Sequence, residues 1–118
     1  MLNLSHKKLM VYTTALEIAE EIYLLTNELP DKERYGLSSQ LRRAAVSVCS
    51  NLAEGSGRIS KTEKKRFFEI SRSSLVEIDT QIEICLRAGY LESSHLLKLE
   101  KLINSTFAML SKLITNLS

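Results

Sequence analysis

The chain has 118 residues, 44% of them hydrophobic and 25% charged, with only four Gly and one Pro. That length suits one domain burying about 65% of its extended-chain surface, and the excess of helix formers over Gly and Pro makes all-α the expected class. A formal charge of +2 from 16 basic and 14 acidic residues excludes a global field that would announce nucleic acid as the partner, and no apolar run approaches the ~20 residues needed to cross a bilayer.

The first periodic segment runs from about Lys7 to Leu29. Leu9, Tyr12, Leu16, Ala19 and Tyr23 define one stripe, Ile18, Ile22 and Leu25 widen it, Ser5 is placed as the N-cap and Pro30 as the stop. Pro30 to Gly36 reads as a polar connection, and Ser38 or Ser39 is placed to cap a second helix. That helix sets Leu41, Ala45, Val48 and Leu52 on a core face, with Ala44 and Ala53 beside them. A second line, Arg43, Ser47, Asn51 and Glu54, follows the same spacing as a continuous polar stripe. Gly55-Ser56-Gly57 is expected to end the helix, since Gly tolerates a left-handed C-terminal residue.

Ser60 with Glu63 three residues on forms a capping box, so the third helix starts near Lys61. Its expected core positions are Phe67, Ser71, Ser74, Leu75, Ile78, Ile82 and Cys85, with Phe68 alongside. Small Ser71 and Ser74 allow a neighbouring helix to come close. Arg87-Ala88-Gly89 supplies a cation and a Gly cap at the end. Ser93 or Ser94 is then placed to cap a fourth helix whose face is Leu96, Leu99, Ile103, Leu110, Leu113 and Leu117. Leu102, Met109 and Ile114 widen that face, as a broad core stripe or as an oligomer contact. Four amphipathic helices on short links predict an up-down-up-down antiparallel four-helix bundle, with residues 1–118 forming a single domain. The N-terminus lacks the apolar core of a signal peptide, so a cytoplasmic location is expected.

Enzyme signatures are absent from the sequence. The two histidines, His6 and His95, form no Glu-x-x-His pair for a di-iron bundle, and no phosphate-binding Gly loop or Gly-x-Ser-x-Gly elbow occurs. Cys49 and Cys85 have no second ligand at metal spacing and read as small buried hydrophobes. No enzyme activity, no cofactor and no metal site is expected. Glu54 sits where the helix dipole opposes a carboxylate, which implies a specific partner such as Arg43, Arg58 or Arg42 of another subunit.

Basic residues gather more suggestively. Arg42 and Arg43 on helix two, Arg58 in the turn, and Lys61, Lys64, Lys65 and Arg66 opening helix three form the candidate nucleic-acid-binding set. Cations at a helix N-terminus oppose the dipole, and a phosphate ligand would offset that cost. The bland reading is a solvated charged face. Phe67 and Phe68 are expected in the core, so contacts should go to backbone phosphates with little sequence readout.

Leu29-Pro30, Glu33-Arg34-Tyr35-Gly36-Leu37, Gln40-Leu41-Arg42-Arg43-Ala44-Ala45-Val46-Ser47-Val48, Asn51-Leu52-Ala53-Glu54-Gly55, Arg58, Phe67 and Ala88-Gly89-Tyr90-Leu91 together resemble the four-helix-bundle family encoded by intervening sequences in bacterial 23S ribosomal RNA genes. The resemblance covers nearly the whole chain. It implies a small bacterial bundle that assembles into a ring, a homopentamer by preference, and it is similar to the accessory protein of diversity-generating retroelements, which binds nucleic acid and associates with a reverse transcriptase. The intervening-sequence group has no settled biochemical role. This chain departs from the pattern at Leu29, where Phe is common, at Ser73-Ser74-Leu75, where a Gly-Ser-containing segment is usual, and in carrying less positive charge than the retroelement relatives. In such a ring the stripe Arg43, Ser47, Asn51 and Glu54 would line a subunit junction or central channel.

The expected function is a non-enzymatic oligomeric scaffold that binds structured RNA or DNA through the basic set. The alternative is a protein-interaction module that docks a polymerase or ribosome-associated partner without touching nucleic acid.

Overall fold

The computed structural model describes residues 1–117, and every regular element in them is helical. The helices are α1 (Met10–Thr26), α2 (Leu37–Gly57), α3 (Lys61–Arg87) and α4 (Leu97–Asn116). Short 3₁₀ turns at Ser5–Lys8, Asp31–Glu33 and Ser93–His95 precede α1, α2 and α4. Each helix packs on its sequence neighbour and α4 closes back on α1, which is the up-down-up-down arrangement the short links predict. The longest, α3, has 27 residues, and its ~40 Å of helix sets the 44 Å long dimension of the molecule.

One core runs the length of the bundle. Ile18 and Ile22 of α1, Leu41, Val48 and Leu52 of α2, Leu75 and Ile78 of α3 and Leu110 of α4 are fully enclosed. The most extensive contact is between α2 and α3, as small Ser71 and Ser74 allow. Two hydroxyls in the core find partners there. Ser71 Oγ donates to the Val48 carbonyl at 2.7 Å, and Thr106 Oγ1 on α4 donates to Thr14 Oγ1 on α1 at 2.8 Å. Among the described residues no helix is long and apolar enough to cross a membrane.

Local signals succeed where backbone chemistry decides them. Ser60 Oγ accepts the Glu63 N–H at 3.0 Å and α3 begins at Lys61. At the other end of α3, Gly89 takes φ 78°, with Tyr90 N–H bonded to the Cys85 carbonyl at 2.9 Å and Gly89 N–H to the Leu86 carbonyl at 3.1 Å. That pair of bonds is a Schellman cap.

Several expectations need correction. Ser5 caps nothing, because it lies inside a 3₁₀ turn and α1 starts on Leu9 with no side-chain cap. The buried face of α1 is Val11, Ala15, Ile18, Ile22 and Leu25, while Leu9, Leu16 and Tyr23 are exposed. Apolar residues cover more than half of that helix, and the arc facing α2 and α4 is the one that is buried. Neither Ser38 nor Ser39 caps α2. Glu33 Oε1 takes the Leu37 N–H at 3.4 Å instead. Ser93 and Ser94 likewise form part of a 3₁₀ turn, and α4 starts on Leu96 uncapped. Phe68 is buried and Phe67 is half-buried, the reverse of the expected emphasis.

The Gly-Ser-Gly segment does end α2, at Gly57, but without the left-handed residue expected there. Gly55 and Gly57 are both helical residues of α2, and Gly89 alone among the described glycines has positive φ. Gly55 is there for space, since a Cβ at that position would stand 2.8 Å from the Phe68 ring.

Candidate functional site

Arg42 and Arg43 stand near the start of α2, whereas Arg58, Lys61, Lys64, Lys65 and Arg66 stand at its far end and on the first turns of α3. The helical rise separates Arg43 from Arg58 by about 22 Å. The single patch read from the sequence is therefore two clusters at opposite ends of the bundle. The antiparallel turn brings Lys61 to Arg66 back beside Arg58, but it cannot bring them to Arg42.

At the α2–α3 corner some of the cations serve the fold. Arg58 pairs with Glu54 one helical turn earlier at 3.1 Å, so Glu54 has its partner in its own chain. The Arg58 guanidinium lies 4.7 Å from the Phe67 ring centroid and that of Arg66 lies 5.6 Å from the same ring. Lys64 Nζ donates to the Ser56 carbonyl at 3.0 Å, and so satisfies a carbonyl that the end of α2 leaves open. Lys61, Lys65 and Arg66 have no carboxylate partner among the described residues. Arg58, Lys61 and Arg66 are exposed there, and Lys64 and Lys65 are half-buried.

The polar stripe of α2 divides too. Its middle turns into the α2–α3 seam, where Asn51 Nδ2 donates to Ser47 Oγ and to the Ser47 carbonyl, both at 2.9 Å, and the Ser47 and Ser74 hydroxyls lie 2.8 Å apart. Arg43 and Glu54, at the two ends of the stripe, are exposed.

The α1–α2 corner is concave. A cavity of about 520 Å³ opens between the C-terminal end of α1 and the start of α2. Arg34, Tyr35, Ser38, Ser39, Arg42 and Arg43 line one side of it and Thr26, Asn27, Leu29, Pro30 and Asp31 the other. Arg42 is fixed in place: Nε donates to Thr26 Oγ1 at 2.8 Å, Nη2 to Asn27 Oδ1 at 3.1 Å, and the guanidinium lies 4.9 Å from the Tyr23 ring. Arg43 makes no such bonds and also lines two adjoining grooves, one toward Ser74, Glu77 and Gln81, the other toward Tyr23 and Val46. Glu33 braces the approach, accepting from Tyr90 Oη at 2.9 Å with one oxygen and from Leu37 N–H with the other. The sequence reading missed Arg34, Tyr35, Ser38 and Ser39 as site residues. The signal available was their spacing to Arg42 and Arg43, since Ser38 and Ser39 precede these arginines by one helical turn.

Both cysteines are held as thiols. Burial pushes Cys49 from 9.0 up to about 11, and burial, with the Glu33 charge second, raises Cys85. Among the described residues no group of three His, Cys, Asp or Glu side chains comes together to hold a metal ion. His6 packs edge-on against Tyr12 with ring centroids 4.7 Å apart, and His95 is exposed.

Comparison with known proteins identifies the fold and the lineage. The sequence model for the 23S rRNA-intervening sequence proteins matches residues 7–112. A crystal structure of a protein of unknown function from the S23 ribosomal protein family of Bacteroides thetaiotaomicron superposes with a TM-score of 0.81 at 20% identity, covering 89% of this chain and 98% of that one. At that identity the likeness shows the fold. None of the curated proteins compared matches the sequence.

Proposed function

The chain belongs to the family of 23S rRNA-intervening sequence proteins, and from that premise we propose that it is a non-enzymatic oligomeric scaffold that binds structured RNA or DNA. The observation that carries this reading is the α2–α3 corner, where Lys61, Lys65 and Arg66 stand on the first turns of α3 without carboxylate partners among the described residues. Lys61 opens that helix, where a cation costs stability unless an anion approaches, and phosphates are the anion that a spread of exposed cations suits. Arg58 joins them across the Phe67 ring.

Support for assembly comes from the side of the bundle turned away from the core. Leu9, Leu16 and Tyr23 recur every seven residues along α1 and are exposed, and Val46 on α2 is exposed with them. Apolar residues in register on an outer face suit a second copy of the chain. A closed ring, with a pentamer preferred, is the arrangement we favour.

Titrating a labelled RNA hairpin with the protein at low salt tests the binding, and light scattering of the same samples tests the assembly. Saturable binding by a particle several times the 118-residue chain mass is the expected result. A flat titration overturns the nucleic-acid reading. Partner capture that survives both nuclease and charge reversal at Lys61 and Lys65 would favour docking of a polymerase or ribosome-associated protein instead.

A further inference from the structure

We propose that the cavity at the α1–α2 corner is a nucleotide pocket, in which the α2 N-terminus and Arg34, Arg42 and Arg43 hold a phosphate group and Tyr35 carries the base. The inference deepens the nucleic-acid reading by giving Arg42 and Arg43 a ligand of their own, and it uses the end of the bundle away from Lys61, Lys65 and Arg66.

Four observations converge on an anion. Three arginines line the cavity against one carboxylate, Asp31. In the first turn of α2 the Leu37 N–H is taken by Glu33 and the Gln40 N–H by the Gly36 carbonyl at 3.0 Å, which leaves the Ser38 and Ser39 N–H groups without partners among the described residues. Open amide donors and the positive end of the helix dipole both favour negative charge there. Ser38 itself is only 7% exposed and lines the cavity, yet its hydroxyl makes no hydrogen bond among the described residues. Its oxygen still reaches solvent, Gln81 Oε1 being the one buried side-chain polar atom without a partner among the described residues, so a ligand in the cavity can take the hydroxyl. Arg42 is already locked against Thr26, Asn27 and Tyr23, so little ordering remains to be done on binding.

The donor count selects phosphate over carboxylate. Two amides, a hydroxyl, the guanidinium forks of Arg34 and Arg43 and the remaining Nη1 of Arg42 exceed what the two oxygens of a carboxylate can accept, whereas the terminal oxygens of a phosphate monoester can take more of them. The remaining space selects a nucleotide. At about 520 Å³ the cavity is larger than a bare phosphate needs and falls within the size range of small-molecule sites. On its wall Tyr35 is 88% exposed, with the Arg34 guanidinium 5.7 Å from its centroid on one face and the other face open. An open tyrosine face beside a phosphate site is a stacking platform for a base, and stacking tolerates any base. Free nucleoside monophosphate and the 5′-phosphorylated end of an RNA share this chemistry.

Amide chemical shifts of the full-length protein, followed during titration with adenosine 5′-monophosphate, adenosine and inorganic phosphate, test the proposal. The monophosphate should move the Ser38 and Ser39 amides and adenosine should not. Arg43→Ala should weaken the monophosphate by about tenfold or more, the loss expected for a charged hydrogen bond. Tyr35→Ala should weaken the monophosphate and leave inorganic phosphate unchanged. Both side chains are exposed, so both variants should fold. The triple variant Lys61→Ala, Lys65→Ala, Arg66→Ala should keep full affinity for the monophosphate, which separates this pocket from the α2–α3 corner. A trinucleotide with a 5′-phosphate that binds more tightly than the monophosphate, and more tightly than its 5′-hydroxyl form, assigns an RNA end; equal affinities assign the free nucleotide. No movement of Ser38 and Ser39 at millimolar monophosphate, equal movement by adenosine, or an Arg43→Ala variant with undiminished affinity overturns the proposal.

Discussion

At the C-terminal end of α2 the cations partly serve the fold: Arg58 is paired with Glu54, Lys64 covers the Ser56 carbonyl, and Arg58 and Arg66 flank Phe67. At its N-terminal end the arginines line a cavity, and the helix amides beside them are left open. The difference lies in the opposite wall, because a side chain takes one first-turn amide at each helix start, Glu63 N–H by Ser60 and Leu37 N–H by Glu33, but only at α2 does the end of α1 close a cavity over the arginines. The same residue types therefore stand around an outer corner at one end and line a cavity at the other.

The largest effect should come from the packing at the α2–α3 corner. Phe68→Ala empties a buried ring site against Gly55 and should cost about 3–5 kcal/mol in chemical denaturation. Tyr35→Ala at the concave corner removes an exposed ring, and should stay within about 0.5 kcal/mol. Comparable losses for the two aromatics would break the contrast.

Next in size is the alkaline response of Cys49, midway along α2. Its folded pKa is raised above the unfolded value, so the stability it contributes is complete below pH 9.0 and is lost as pH rises toward about 11. Over that window the loss is at most about 2–3 kcal/mol, and Cys49→Ala should flatten that part of the stability curve. An unchanged alkaline slope in the variant would mean that the thiol is not shielded.

Two glycines sharpen the corner further. Gly55→Ala should cost about 1–3 kcal/mol, because the new Cβ meets the Phe68 ring at 2.8 Å and that ring is enclosed. Gly57→Ala meets nothing within 4 Å and should stabilise by about 0.5–1 kcal/mol through helix propensity. The smallest pair contrasts the caps. Ser60→Ala should cost about 1 kcal/mol, and Ser39→Ala, which removes no cap, less than half of that, both read as shifts in the urea midpoint.

The fold was legible because its signals are local and mutually consistent: helix spacing, Pro30, the Ser60–Glu63 box and the Gly89 cap each depend on a few adjacent residues. Orientation about the helix axis was less so. On α1 the apolar set is wide enough that Leu9, Leu16 and Tyr23 compete with Val11, Ile18 and Leu25, and only the positions of α2 and α4 decide between them. Thr106 was invisible as a core residue because its polarity is offset by Thr14, 92 positions away in the chain. The concave site escaped for a similar reason. Arg34, Tyr35 and Ser38 become a site only when the end of α1 supplies the opposite wall.

The most direct measurement for the central claim is the salt dependence of hairpin RNA binding by the wild-type chain and by the triple variant Lys61→Ala, Lys65→Ala, Arg66→Ala. Each phosphate neutralised contributes about 0.7–0.9 to the log–log slope, so the variant should bind more weakly with a slope shallower by about 2 per chain engaged. A variant whose affinity and slope both match the wild type would contradict the account.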